Sequence, residues 1–216
     1  MKIKITFLEG VLGTSPADED IYSRFIGQNA PDAPTLAEEI ANLGVDAIEE
    51  RGTTIFPRED GKPFLYDYQL KGFFKDSCGM LSRLTGKDPT TGKKLKATNE
   101  SGKLTAYKKV IDGLIFVKPR KILLEMPSDL TICQRSLRAQ TAQGERTALA
   151  SSEEAPEGTT CTFEVVCMDD NHEKAVREWL DYGEWRGIGQ WRNSGKGRFV
   201  WDELDADGNV IGGNNR

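Results

Sequence analysis

The chain has 216 residues, a hydrophobic share of 38%, a charged share of 29% and a formal net charge of −5. These proportions allow a packed core in one large domain or two small ones, and no apolar run reaches the ~18 residues of a membrane span, so a membrane protein is not expected. The net charge speaks against an obvious polyanion binder only as an average: residues 9–60 hold twelve acidic and three basic side chains, whereas residues 71–121 hold thirteen basic and four acidic.

Residues 2–8 alternate with Ile3, Ile5 and Phe7 inward, which predicts a first strand. The opening Met1-Lys2-Ile3-Lys4-Ile5 lacks the apolar core of a signal peptide, so a cytoplasmic location is expected. Residues 17–51 are acidic and helix-leaning, interrupted at Pro31 and Pro34, and read as an insertion. Glu59-Asp60-Gly61-Lys62-Pro63 signals a tight turn. Asp67 is a candidate N-cap for a helix through Leu84, with Leu70, Phe73, Phe74, Ser77, Leu81 and Leu84 at helical spacing.

The Lys-, Thr- and Gly-rich residues 85–102 have no period and predict a mobile basic loop. A strand is expected over 110–117, another over 122–124 beyond Pro119, and hairpin arms over 132–137 and 146–150. Residues 160–168 alternate as a strand, 173–182 carry Val176, Trp179 and Leu180 at helical spacing, and 197–204 close as a strand. Cys78, Cys133, Cys161 and Cys167 have neither zinc-site spacing nor disulfide density and read as buried thiols. The single His172 sits in a polar turn opening a helix and reads as a helix-start residue.

Without its insertions, the order is strand, helix, strand, strand, helix, strand. That order predicts an α+β fold with a ferredoxin-like (RRM-like) core, two helices covering one face of an antiparallel sheet. Residues 1–204 form a single domain in this reading, with insertions at about 17–51 and 85–103, and residues 205–216 form a polar tail that frays.

Chemistry concentrates in residues 185–199. Gly187, Gly189, Gly195 and Gly197 let backbone amides approach a ligand, Arg186, Arg192, Lys196 and Arg198 bring charge, and Trp185 and Trp191 bring flat apolar surface. That combination suits a phosphodiester; a Gly-rich turn with solvated basic residues is the bland alternative.

Several stretches, in chain order over 53–204, resemble the RAMP superfamily, in particular the RNA-binding backbone subunits of type III CRISPR effector complexes. Ile55-Phe56-Pro57 through Tyr68-Gln69-Leu70-Lys71-Gly72-Phe73 looks like the family's turn and short strand leading into a Leu-Lys-Gly helix start. Val110-Ile111-Asp112-Gly113-Leu114 looks like its central strand. Residues 135–146 with Pro156-Glu157-Gly158 resemble its basic segment and strand entry, and residues 187–197 its glycine-rich loop.

The resemblance implies an RNA-backbone contact through Lys71, Gly72 and Lys75 at a helix start, Arg135 and Arg138 with Gln134 and Gln140 beside them, and Gly187, Gly189, Arg192, Gly195, Lys196 and Gly197 of the loop. It implies guide or other single-stranded RNA, and further ribonucleoprotein subunits including copies of this chain, as partners. In type III backbone subunits an aspartate after the first strand cleaves target RNA. Here Asp18, Asp20 and Asp32 occupy that region, none in a matching motif, so the catalytic role is not carried over.

Three functions from different classes follow. The first is a non-catalytic RNA-binding ribonucleoprotein subunit with no cofactor. The second is a metal-dependent endoribonuclease using Asp18, Asp20 or Asp32, the one case that requires a divalent metal. The third is a RAMP-fold protein of a phage or mobile element that inhibits or mimics a defence complex through protein or nucleotide binding.

Overall fold

The computed structural model describes residues 1–16, 53–84, 90–91, 97–141 and 144–215, with the backbone alone over 137–141 and 144–149. Its main sheet has five antiparallel strands in the order β13-β12-β1-β11-β7, where β1 is Lys2–Phe7, β7 Ile115–Lys118, β11 Thr160–Cys167, β12 Phe199–Leu204 and β13 Val210–Gly213. In β1 every second side chain is apolar, and pairing places Ile3 opposite Phe163 and Ile5 opposite both Cys161 and Trp201. One face of the sheet is therefore continuous and dry.

Two helices cover that face: α1, Asp67–Leu81, through Leu70, Phe73 and Phe74, and α4, Asn171–Arg186, through Val176, Trp179 and Leu180. Ring centres lie 5.2 Å apart for Phe73 and Phe199, which ties helix to sheet, and 5.6 Å apart for Phe74 and Trp179, which ties the two helices together. A Cβ on Gly183 would run into the Phe199 ring, so glycine sets the approach of α4 to β12. The chain is thus an α+β protein whose helices lie on one side of an antiparallel sheet.

Outside this core, β2 (Val11–Leu12), β3 (Ser15–Pro16), β4 (Thr54–Ile55) and β10 (Gly144–Ala155) form a second sheet, which β9 (Thr131–Thr141) extends by pairing with β10 as a long hairpin. A third sheet joins β5 (Arg58–Glu59), β6 (Lys62–Tyr66) and β8 (Lys121–Leu123). Asp60 and Gly61 both take positive φ between β5 and β6, the two-residue turn that an Asp-Gly pair favours.

Several expectations are corrected. Residues 110–117 do not form one strand: α3, Tyr107–Leu114, precedes the short β7. Tyr107, Ile111 and Ile115 recur every four residues, a spacing that helix and strand share, while the exposed Gly113, which a strand would turn to the same face as Ile111 and Ile115, fits the helix alone. Asp67 is the first helical residue and not the cap; the Tyr66 amide is held by Gln69 Oε1 at 2.7 Å. The α-helix ends at Leu81, and a 3₁₀ turn, Ser82–Leu84, leaves Leu84 exposed.

The C-terminal end of the expected basic loop is helical. Helix α2, Glu100–Lys103, presents the Ser101 amide to Glu178 Oε2 at 2.8 Å, so a carboxylate caps its N-terminus. The described part of the expected tail, 205–215, contains a strand: β13 adds to the sheet edge. Asn214 exchanges two hydrogen bonds with the Trp201 backbone, its amide donating at 3.0 Å and its Oδ1 accepting at 2.9 Å, and Asp205 accepts the Asn209 amide at 2.8 Å. Cys78 and Cys161 are buried thiols, but Cys133 and Cys167 are partly exposed. The expected insertion at 17–51 lies outside the described residues, as do 85–89 and 92–96.

Candidate functional site

The glycine-rich loop runs from the end of α4 to β12. Gly187, Gly189, Gly195 and Gly197 all have positive φ, between +70° and +90°. They divide by what surrounds them. A Cβ on Gly187 would lie 2.6 Å from the Lys196 carbonyl and one on Gly197 would overlap the Ile188 carbonyl, so these two close the loop on itself. The Gly197 amide also donates to the Gly10 carbonyl at 3.0 Å, pinning the loop beside β1. Gly189 and Gly195 have room around them.

The loop's cations are engaged. Arg186 Nε and Arg192 Nη1 donate to the same oxygen, Asp76 Oδ2 on α1, at 2.8 and 2.7 Å. Lys196 pairs with Glu154, and Arg198 donates to the Glu184 carbonyl while lying 5.8 Å from the Trp185 ring centre. Burial pushes the Asp76 carboxyl up, but the two guanidiniums outweigh it and hold it below the ordinary 3.8. The Asp76 cluster therefore carries a net charge of about +1.

Lys71 and Lys75 do not stand at a helix start. The helix opens at Asp67, so Lys71 and Gly72 lie in its second turn, where backbone amides are already used within the helix. Lys71 Nζ donates to the Asp112 carbonyl at 3.1 Å and sits 5.2 Å from the Phe116 ring centre, and Lys75 pairs with Asp112 Oδ1 at 2.6 Å. Both lysines thus bind α3. Gly72 behaves differently: nothing lies within 4 Å of where its Cβ would be.

A cleft of about 400 Å³ joins the helix to the loop, lined by Thr14, Gln69, Gly72, Asp76, Gly189 and Arg192 among others. Gln69 crosses it with Nε2 on Thr14 Oγ1 at 2.7 Å. Of the residues expected to act together, Gly72, Gly189 and Arg192 meet here, whereas Lys71 and Lys75 are turned to α3.

Arg135 reaches the loop from β9. Its Nη2 donates to Gln190 Oε1 at 2.8 Å, its Nη1 to Ser152 Oγ at 3.3 Å, and its guanidinium lies 5.1 Å from the Trp191 ring centre. Gln190 Nε2 in turn donates to the Gly13 carbonyl at 3.1 Å, so one amide links hairpin, loop and second sheet. Gln134 is exposed. The side chains of Arg138 and Gln140, and all of Asp18, Asp20 and Asp32, lie outside the described residues.

Among the described residues no three His, Cys, Asp or Glu side chains gather as a metal site, and no helix is long and apolar enough to cross a membrane. His172 stands in the first turn of α4. Sequence reasoning missed Asp76 and Gln190. For Asp76 there was a signal, since it is the only acidic residue between Tyr68 and Lys87 and follows Gly72 by one helical turn.

No family model and no curated protein matches the chain. Solved structures do. One is a chain of a Type III-B Cmr-beta complex bound to cognate target RNA, with TM-score 0.48 and 12% identity over 94% of this chain and 58% of that one. Another belongs to a Type IV-B CRISPR complex, with TM-score 0.48 and 13% identity over 100% of this chain and 93% of that one. The chain therefore spans 58% of the length of the first of these neighbours.

Proposed function

We propose that the chain is an RNA-backbone-binding subunit of a CRISPR-type ribonucleoprotein and that it acts without catalysis. The observation that carries this reading is the cleft in which Gly72 of α1, Gly189 of the loop and Arg192 meet, with Asp76 holding two arginines at its wall. Glycine surfaces admit a sugar-phosphate chain closely, and an excess guanidinium attracts it. Thr14 and Gln69 supply neutral hydrogen-bonding groups of the kind that meet 2′-hydroxyls. The ordered RAMP-like stretches over 53–204 support the same reading.

Contacts of this type are electrostatic and read no base sequence. The test is binding of a labelled single-stranded RNA by fluorescence anisotropy across a salt series, together with the nucleic acid that copurifies with the chain. The expected result is affinity that falls with salt by about 0.7 logarithmic units per decade for each phosphate neutralised, irrespective of sequence. Absence of binding, or binding confined to one short motif, overturns the reading.

A further inference from the structure

We propose that Trp191 is a nucleobase-stacking residue, so that the protein grips RNA by a base as well as by its phosphates. The inference rests on the RNA-binding reading of the adjacent cleft and adds a second, non-ionic contact to it.

Trp191 has φ +52° and ψ +33°, a left-handed conformation that a bulky side chain rarely adopts. Among the described residues only Asp60 and Ala106 share a positive φ without being glycine, and Asp60 sits in a tight turn that favours it. Strain of this sort persists where surrounding contacts over-determine a residue, and it gathers at ligand sites. Here the Ser194 amide donates to the Trp191 carbonyl at 3.0 Å and the Gly195 amide to the Arg192 carbonyl at 2.9 Å, which locks the turn around it.

The strain does not serve burial. Trp179 and Trp201 are core residues whose indole N–H groups donate at 2.9 Å to Ser101 Oγ and Asp181 Oδ1. Trp191 is 38% exposed, and its indole N–H has no hydrogen-bond partner among the described residues. What the conformation does achieve is placement. The ring stands next in sequence to Arg192 of the cleft and beneath the Arg135 guanidinium, which Gln190 and Ser152 hold in position. An exposed indole with a fixed guanidinium on it, one residue from a phosphate-seeking arginine, has the composition of a base-stacking platform.

The test compares a short oligouridylate with an abasic ribose-phosphate oligomer of equal length and charge, by anisotropy, on the parent and on Trp191→Gly and Trp191→Phe. The parent is expected to prefer the base-bearing oligomer by roughly 10-fold. Trp191→Gly should lose that preference, keep the salt dependence and remain folded, because the relieved left-handed strain offsets lost contact area. Trp191→Phe should keep part of the preference. Equal binding of both oligomers by the parent overturns the stacking role while leaving phosphate binding intact, and binding of neither overturns both. A base preference that survives in Trp191→Gly also overturns the proposal. Complete loss in a well-folded Trp191→Phe does the same.

Discussion

Asp76 of the first helix holds Arg192 of the glycine loop at 2.7 Å, and it does so with the oxygen that Arg186 also occupies. One carboxylate thereby fixes two guanidiniums where an anion would compete for them. Each guanidinium keeps donors that Asp76 does not use.

Replacing Asp76 by Asn keeps an oxygen acceptor of the same size but removes the competing charge. Asp76→Asn should bind single-stranded RNA more tightly than the parent, with a salt slope steeper by about 0.7. The carboxylate is part-buried and ties down two guanidiniums, so the variant should also lose about 1–3 kcal/mol of stability. Anisotropy titrations at three salt concentrations and a thermal melt check both.

The same carboxylate makes a prediction about pH. Its folded value lies below the ordinary 3.8, so it binds protons more readily in the unfolded chain than in the folded one. Its contribution is present above pH 3.8 and is lost as pH falls through the lowered folded value. Urea unfolding of the parent and Asp76→Asn from pH 6 down to about 3 should give two stabilities that converge at the acid end. A gap that widens with acid would contradict the assignment.

Arg192 and Lys71 separate the cleft from its surroundings. Arg192→Ala should weaken RNA binding by roughly 1–3 kcal/mol, as loss of a charge-assisted hydrogen bond does. Lys71→Ala should leave binding nearly unchanged, since Lys71 is turned to Asp112 and Phe116. Equal losses from both substitutions would show that the bound strand also follows the α3 side.

The glycines of the loop should divide in the same manner. Gly197→Ala places a methyl group on the Ile188 carbonyl and should destabilise the fold by several kcal/mol. Gly195→Ala meets open space and only the strain of a φ of +90°, which costs about 1–3 kcal/mol. Thermal melts rank the two, and the reverse order would mean that the loop closes differently.

The core was legible where burial is one-sided. Ile3, Ile5 and Phe7 alternate because one face of β1 is dry, and Phe73, Phe74 and Trp179 follow a helical period because each helix buries one stripe. Legibility failed where one spacing serves two structures, as with Ile111 and Ile115. It failed again where order comes from partners distant in sequence, as when Glu178 caps α2 or Trp201 gathers the tail. At the site, glycine and arginine types were readable, but orientation was not. Lys71 and Gly72 are adjacent in the chain and serve different surfaces, a distinction set by helical phase against α3 and the loop.

The pairing of Ser15–Pro16 with Thr54–Ile55 brings the two ends of the intervening segment side by side, with Pro16 opposite Thr54. For a chain leaving and re-entering at neighbouring antiparallel positions, the entropy of closure grows only with the logarithm of its length, about 0.6 kcal/mol for each doubling. In closure entropy alone, the β3–β4 pair is therefore nearly indifferent to how many residues join Pro16 to Thr54.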